Sequence, residues 1–274
     1  MSELFGKDVS GHVMSRNIMK EDFGWEVPVE AVPLPSRGVI YNPDTTLYNR
    51  ETINIKSMTA HEEDILASQA LIKDGTVMTK LIESCVSDRT FDVDSMINGD
   101  RNALMVAIRV TGYGTSYKIK AKCENCSHLN KVDVDLATLA IKRLNIKPVE
   151  AGANKFLFEL PVTKKKVLFK FLTPKDEKQR SISRNFMKKF EGGIDNGITS
   201  ILEHSIISIE GITDRSKIKH FVKYMPAYDS KSLRNFIKEN EPGIDMSCDF
   251  QCTNCSHTTK TNLPVTTEFF WPST

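Results

Sequence analysis

No apolar run in this 274-residue chain approaches 18 residues, which excludes a membrane-spanning helix. Net charge is almost absent too: 37 Lys and Arg stand against 35 Asp and Glu, leaving +2 and a pI near 8.1. No global field therefore recruits nucleic acid or an anionic membrane. The motifs of common enzymes are missing as well. There is no Gly-x-x-x-x-Gly-Lys loop to cradle phosphates, no Gly-x-Ser-x-Gly elbow and no His-Glu-x-x-His metal helix. The adjacent carboxylates Glu62-Glu63 fall at a helix start and need no catalytic explanation. The expectation is a protein that is not an enzyme. The chain begins without a charged-then-apolar leader, which points to the cytoplasm or a particle assembled there, and to reduced cysteines.

Cysteine is scarce, six in all, yet four fall into two near-copies of one short sequence. These are Cys123-Glu124-Asn125-Cys126-Ser127-His128 and Cys252-Thr253-Asn254-Cys255-Ser256-His257. A Cys-x-x-Cys turn aims both sulfurs at one point, and two such turns complete a tetrahedron around Zn²⁺ at about 2.3 Å per bond. Four thiolates leave no open position, so Cys123, Cys126, Cys252 and Cys255 are expected to hold a structural rather than a catalytic zinc. The competing reading is two disulfides or four unrelated thiols. Disulfides are disfavoured because Cys85 and Cys248 would remain as extra thiols in an oxidising compartment. His128 and His257 could in principle ligate, but four sulfurs already fill the shell. Such a centre carries a net −2 charge, which backbone N–H groups and nearby Lys122, Lys131 and Lys260 are placed to offset.

The flanks alternate as half-buried strands do. Tyr117-Lys118-Ile119-Lys120-Ala121 precedes the first turn and Lys131-Val132-Asp133-Val134-Asp135 follows it; Met246 to Gln251 and Thr258 to Val265 frame the second. Each half reads as strand, knuckle, strand. Between Cys126 and Cys252 lie 125 residues, so that segment must begin and end close together and reads as an insertion clamped at its base. Loop-closure cost grows only slowly with length, which makes a long insertion tolerable.

The chain before the first knuckle divides at about residue 50. Residues 1–50 hold Pro28, Pro33, Pro35 and Pro43, with a turn at Pro35-Ser36-Arg37-Gly38, and little helical periodicity. Phe23, Trp25, Val32, Leu34, Ile40 and Tyr41 make this an apolar arm that must lie against its own body or a neighbouring subunit. Residues 51–115 read as a short strand and three helices. The first opens at the capping box Thr59-Ala60-His61-Glu62, with Ile65, Leu66, Ala70 and Leu71 inward. The second starts near Thr76 and includes Cys85 as a core residue; the third runs from about Asp100 to Val110.

Inside the insertion, Lys155–Leu160 and Lys166–Leu172 suggest a hairpin with Lys164-Lys165-Lys166 at its tip, either a phosphate site or simply a solvated turn. A helix follows Thr173-Pro174 with Ile182, Phe186 and Phe190 as an apolar stripe and Gly192-Gly193 as its stop. Further helices are expected at about 196–208, 214–225 and 230–239. At the C-terminus, Phe269-Phe270-Trp271 cannot all face inward on a strand, so the tail meets a partner or folds back over the ribbon. Residues 1–50 and 265–274 are therefore the expected assembly surfaces.

The expected fold class is α+β: a helical and short-strand body with a zinc-ribbon-like four-cysteine site interrupted by a long α/β insertion, plus an extended N-terminal arm. The segments are 1–50 (arm), 51–115 (helical), 116–136 with 245–274 (ribbon halves and aromatic tail) and 137–244 (insertion). Leu34-Pro35-Ser36-Arg37-Gly38-Val39-Ile40-Tyr41, then Ile55-Lys56-Ser57-Met58-Thr59-Ala60 with Glu62-Glu63, the paired cysteine turns and the terminal Phe269-Phe270-Trp271-Pro272 together resemble the T4-type phage baseplate hub subunit family. The resemblance implies a structural role in the virion, in the baseplate of a contractile tail assembled in the host cytoplasm. Its partners would be other phage baseplate and tail proteins, without nucleic acid and without catalysis. A non-virion assembly factor for the hub is the alternative; a nucleic-acid-binding zinc ribbon is the third reading.

Overall fold

The computed structural model describes residues 5–7, 13–15, 18–88, 90–190 and 197–271, side chains before residue 20 and at 184–190 excepted. Strands β1 (Phe5–Lys7) and β2 (Val13–Ser15) pair antiparallel ahead of α1 (Ile18–Phe23). Strand β3 (Val29–Pro33) then pairs with β4 (Thr52–Lys56), in which Ile53 and Ile55 are fully buried while Thr52, Asn54 and Lys56 face outward. The chain between them forms the Pro35–Gly38 turn. Its Gly38 has φ of 71°, and a Cβ there would meet Arg50 N and Leu47 O at 2.4 Å, so only glycine fits.

The Thr59 capping box is formed, with the Thr59 N–H donating to Glu62 Oε2 at 2.8 Å. The helix it opens is shorter than its sequence suggests. α2 (Ala60–Ala67) stops at Ser68, which turns extended and accepts the Leu71 N–H to begin α3 (Gln69–Asp74). Serine favours capping because its hydroxyl competes for backbone groups. Ala70, expected inward, is consequently exposed. α4 (Val77–Cys85) buries Val77, Leu81, Ile82 and Cys85 as its spacing predicts, and burial pushes the Cys85 thiol up to about 12.

The long α5 (Asn98–Tyr113) runs through the core. Near its start Asp100, fully buried, accepts the Ser36 N–H at 2.9 Å and the Tyr41 hydroxyl at 2.6 Å. Near its end Arg109, also buried, donates to the carbonyls of Phe269 (2.9 Å), Gly114 (2.8 Å) and Ser116 (3.0 Å). The first contact ties in the 34–41 segment, the second the C-terminal tail. Leu34, Ile40, Tyr41 and Leu47 are buried, so this part of the arm lies against its own body; Phe23 and Trp25 remain 72% and 48% exposed.

After α5 come the hairpin β5 (Ser116–Lys122) and β6 (Leu129–Asp135), then β7 (Ile141–Lys142). The hairpin expected around residue 163 is β8 (Phe156–Glu159) and β9 (Lys166–Phe169), and α6 (Pro174–Phe190) begins at its proline. Ile182, assigned to an inward stripe, is 63% exposed; the Phe186 and Phe190 side chains and Gly192-Gly193 lie outside the described residues. The helix expected over 196–208 is α7 (Gly197–Ser205) followed directly by β10 (Ile206–Ile209), which pairs with β9. A run of isoleucines suits a strand once an edge is available to pair with, and that edge comes from residues about 40 positions earlier in sequence.

α8 (Arg215–Tyr224) and α9 (Ala227–Asn240) follow, and β11 (Gly243–Ile244) pairs with β7, drawing the two ends of the insertion together. The second knuckle hairpin is β12 (Ser247–Gln251) and β13 (Thr258–Asn262). The architecture is thus α+β, with nine helices and short antiparallel sheets among the described residues. One core cluster includes Leu34 of the arm, Leu104 of α5, Phe169 and Leu233 of the insertion, and Phe269 of the tail.

The tail corrects an expectation. Thr267–Phe270 forms a 3₁₀ turn, not a strand, so the alternation that would have turned one phenylalanine outward does not apply. Phe269 and Phe270 are fully buried, and Phe269 packs edge-to-face on Tyr117 at 4.9 Å. Of the three aromatics, Trp271, 40% exposed, is the one left to meet a partner.

Candidate metal centre

The two knuckles sit at the tips of the β5–β6 and β12–β13 hairpins and are built alike. The N–H of Cys123 donates to His128 O and that of Cys252 to His257 O, each at 2.9 Å. The N–H of Ser127 and Ser256 returns to the carbonyl of the first cysteine, and both serines take the left-handed conformation this tight turn requires, with φ of 62° and 55°.

The structure brings all four predicted cysteines together. Their sulfurs lie within 4.8 Å of one another, with Cys123–Cys255 at 3.7 Å and Cys126–Cys252 at 3.6 Å. A tetrahedron with 2.3 Å metal–sulfur bonds has edges of about 3.8 Å. The cluster therefore has the size of a four-thiolate metal shell. Cys123 and Cys252 are buried, Cys126 and Cys255 half-buried.

Donors to sulfur cross from one knuckle to the other. The Asn125 amide donates to Cys255 Sγ at 3.6 Å, and the matching Asn254 amide to Cys126 Sγ at 3.7 Å. One turn further, Asn130 donates to Cys252 Sγ at 3.6 Å and its counterpart Thr259 to Cys123 Sγ at 3.7 Å. Each sulfur thus accepts from the opposite hairpin. Asn130, 3% exposed, also accepts the Thr253 N–H at 2.9 Å and donates to His128 O at 3.1 Å, which satisfies its amide and joins the hairpins.

These donors set the thiol electrostatics. Backbone N–H donation, the Cys126 N–H first, holds the Cys123 thiol below its ordinary value. Burial would push Cys252 up, but the N–H groups of Asn254 and Cys255 and the Asn130 amide outweigh it and bring the thiol down to about 6. Cys255 receives the His257 N–H, yet the crowding sulfurs of Cys126 and Cys123 raise it to about 11. Four neighbouring thiolates repel, and a divalent cation at their centre removes that repulsion. The chemistry available is metal holding with a filled first shell.

His128 and His257 are exposed and outside the sulfur cluster. Lys122, Lys131 and Lys260 are exposed too, and the side-chain donors to sulfur are instead the neutral Asn125, Asn130, Asn254 and Thr259. Sequence reasoning did not single these four out. The signal was present in part, since asparagine stands third in both knuckles.

A family model for the T4 bacteriophage base plate protein matches residues 40–271, most of the chain. The chain belongs to that family. The match to the T4 base plate family takes in both knuckles, the whole stretch between them and the Phe269-Phe270-Trp271 tail. No curated protein and no solved structure matches the chain. Membership of the base plate family makes this a structural component of the phage tail baseplate, with tail proteins as partners. No helix among the described residues is long and apolar enough to cross a membrane.

Proposed function

We propose that this base plate protein works in the hub region of a contractile tail, binding neighbouring tail proteins without catalysis, and that a single structural Zn²⁺ held by Cys123, Cys126, Cys252 and Cys255 stabilises it. The observation that carries the metal is the four-sulfur cluster at tetrahedral spacing. Sulfur-only ligation favours zinc over the hard cations, which take oxygen ligands. A filled shell leaves no position for water or substrate, which argues for bracing over reaction. In this reading the metal and the β7–β11 pair close the base of the 137–244 insertion and fix it to the body.

Metal analysis of the purified protein should give about one zinc per chain, and iron or no metal would refute the assignment. Mass spectrometry of purified tails tests the hub role, because a virion component persists in them. Loss of the protein from finished tails, together with its recovery on hub intermediates, would make it an assembly factor instead.

A further inference from the structure

The near-zero net charge hides a separation of sign. Between residues 137 and 244 the chain has 21 Lys and Arg against 12 Asp and Glu; the remainder has 16 against 23. Within the insertion the excess gathers further. From Arg215 to Lys238 there are seven Lys and Arg and one carboxylate, Asp229. That carboxylate is fully buried and accepts the N–H groups of Val162 (2.7 Å) and Thr163 (3.0 Å). Asp229 is engaged chiefly by these N–H groups, with Lys164 close enough to favour its charged form, and it pins the β8–β9 turn against the start of α9. The pinning carries exposed Lys164 and Lys165 to the α8–α9 corner.

Along α8, which leads into that corner, Ile218 and Val222 face the core, which turns Lys217, Lys219 and Lys223 outward. None of the three forms an ion pair among the described residues. Part of their placement works against the helix itself. Lys217 stands in its first turn, where the dipole disfavours a cation, and Lys219 and Lys223 are a like-charged i,i+4 pair, although Lys223 by itself suits the last turn. Local choices that oppose intrinsic stability mark a surface shaped for something else. Two tyrosines rise beside them, Tyr224 at 67% and Tyr228 at 64% exposure, and Lys223 lies 5.8 Å from the Tyr224 ring.

We infer that this α8–α9 corner, with the Lys164-Lys165 turn, is a docking face for an acidic surface of another base plate protein. The inference rests on the assembly role proposed above and names the chemistry of one partner. Lysines steer an oppositely charged protein and set its register, while exposed tyrosines supply the contact area at which binding energy concentrates. A protein occupant is favoured over nucleic acid because the chain belongs to a base plate family and because its whole-chain field is weak.

The test uses the full zinc-loaded chain against each of the other base plate proteins of the same phage, purified singly, and against an oligothymidylate. The variants are K217E/K219E/K223E and Y224A/Y228A, with K118E/K120E on exposed β5 as the control and a thermal melt of each to verify folding. One base plate protein should bind the wild type, weaken about tenfold or more with the triple reversal, weaken with the tyrosine pair, and be indifferent to the control. Added salt should slow association more than it speeds release. Binding to a base plate protein that ignores both corner variants overturns the docking face while the assembly role stands. Failure of every base plate protein to bind the wild type overturns the assembly role. Tight, salt-steep binding of the oligothymidylate lost in the triple reversal would assign the face to nucleic acid instead.

Discussion

Removing the C-terminal tail should unfold the protein, and Phe269→Ala isolates why. Phe269 is fully buried and packs edge-to-face on Tyr117 at 4.9 Å and Phe270 at 5.2 Å. Truncating a buried phenylalanine to alanine costs about 3–5 kcal/mol through lost transfer energy and the cavity left behind. The two ring contacts lie within that figure, at about 0.5–1.5 kcal/mol each. Deleting residues 267–274 removes Phe270 as well and takes away the carbonyl that accepts from Arg109 Nε at 2.9 Å, orphaning a buried donor at about 1–3 kcal/mol. The sum is on the order of 10 kcal/mol, comparable with the whole stability of a typical domain at about 5–15 kcal/mol. Denaturant melts of zinc-loaded protein, followed by circular dichroism, should show Phe269→Ala strongly destabilised and Trp271→Ala within about 0.5 kcal/mol of wild type. A Phe269→Ala protein that melts with the wild type, or a truncated chain that folds and fails only in assembly, would refute the core role of the tail.

Asn130→Ala should lower zinc affinity about 10- to 100-fold, as loss of a group supporting a metal ligand does, because it strips Cys252 of a donor and frees the Thr253 N–H; competition with a chromophoric chelator measures it, and unchanged affinity would show that the crossing amides do not tune the site. Glu241 gives a pH signature: burial, reinforced by Glu177 and opposed by Lys142, raises its carboxyl from 4.5 to about 7. The folded state therefore holds this proton more tightly than the unfolded chain, so the group's stabilisation is full below about pH 4.5 and is lost as pH rises towards 7. Melts of Glu241→Gln against wild type should coincide at low pH and separate across that window in favour of the variant, by on the order of 2 kcal/mol; parallel curves would mean that the carboxyl is solvated.

The sequence by itself determined the features whose causes are local or chemical. Two Cys-x-x-Cys turns with alternating flanks specify two hairpin knuckles, and their matched four-cysteine pattern already implies that the knuckles meet across 125 intervening residues. The Thr59–Glu62 capping box, the inward spacing along α4 and the proline opening α6 all act within a few residues of one another, and all were legible. Only the tertiary structure decided the features whose partners lie far along the chain. Ile206–Ile209 became a strand because β9 offered it an edge, and the 34–47 stretch packed inward because Asp100 of α5 accepts from Ser36 and Tyr41. Phe269 and Phe270 went to the core because Arg109 and Tyr117 were waiting there, over 140 residues away in sequence. The donors Asn130 and Thr259 acquired their role only when the hairpins faced each other, since each serves a sulfur on the opposite one. Periodicity reports which side of an element is apolar; which surface covers that side is decided by contacts between residues that the sequence keeps apart.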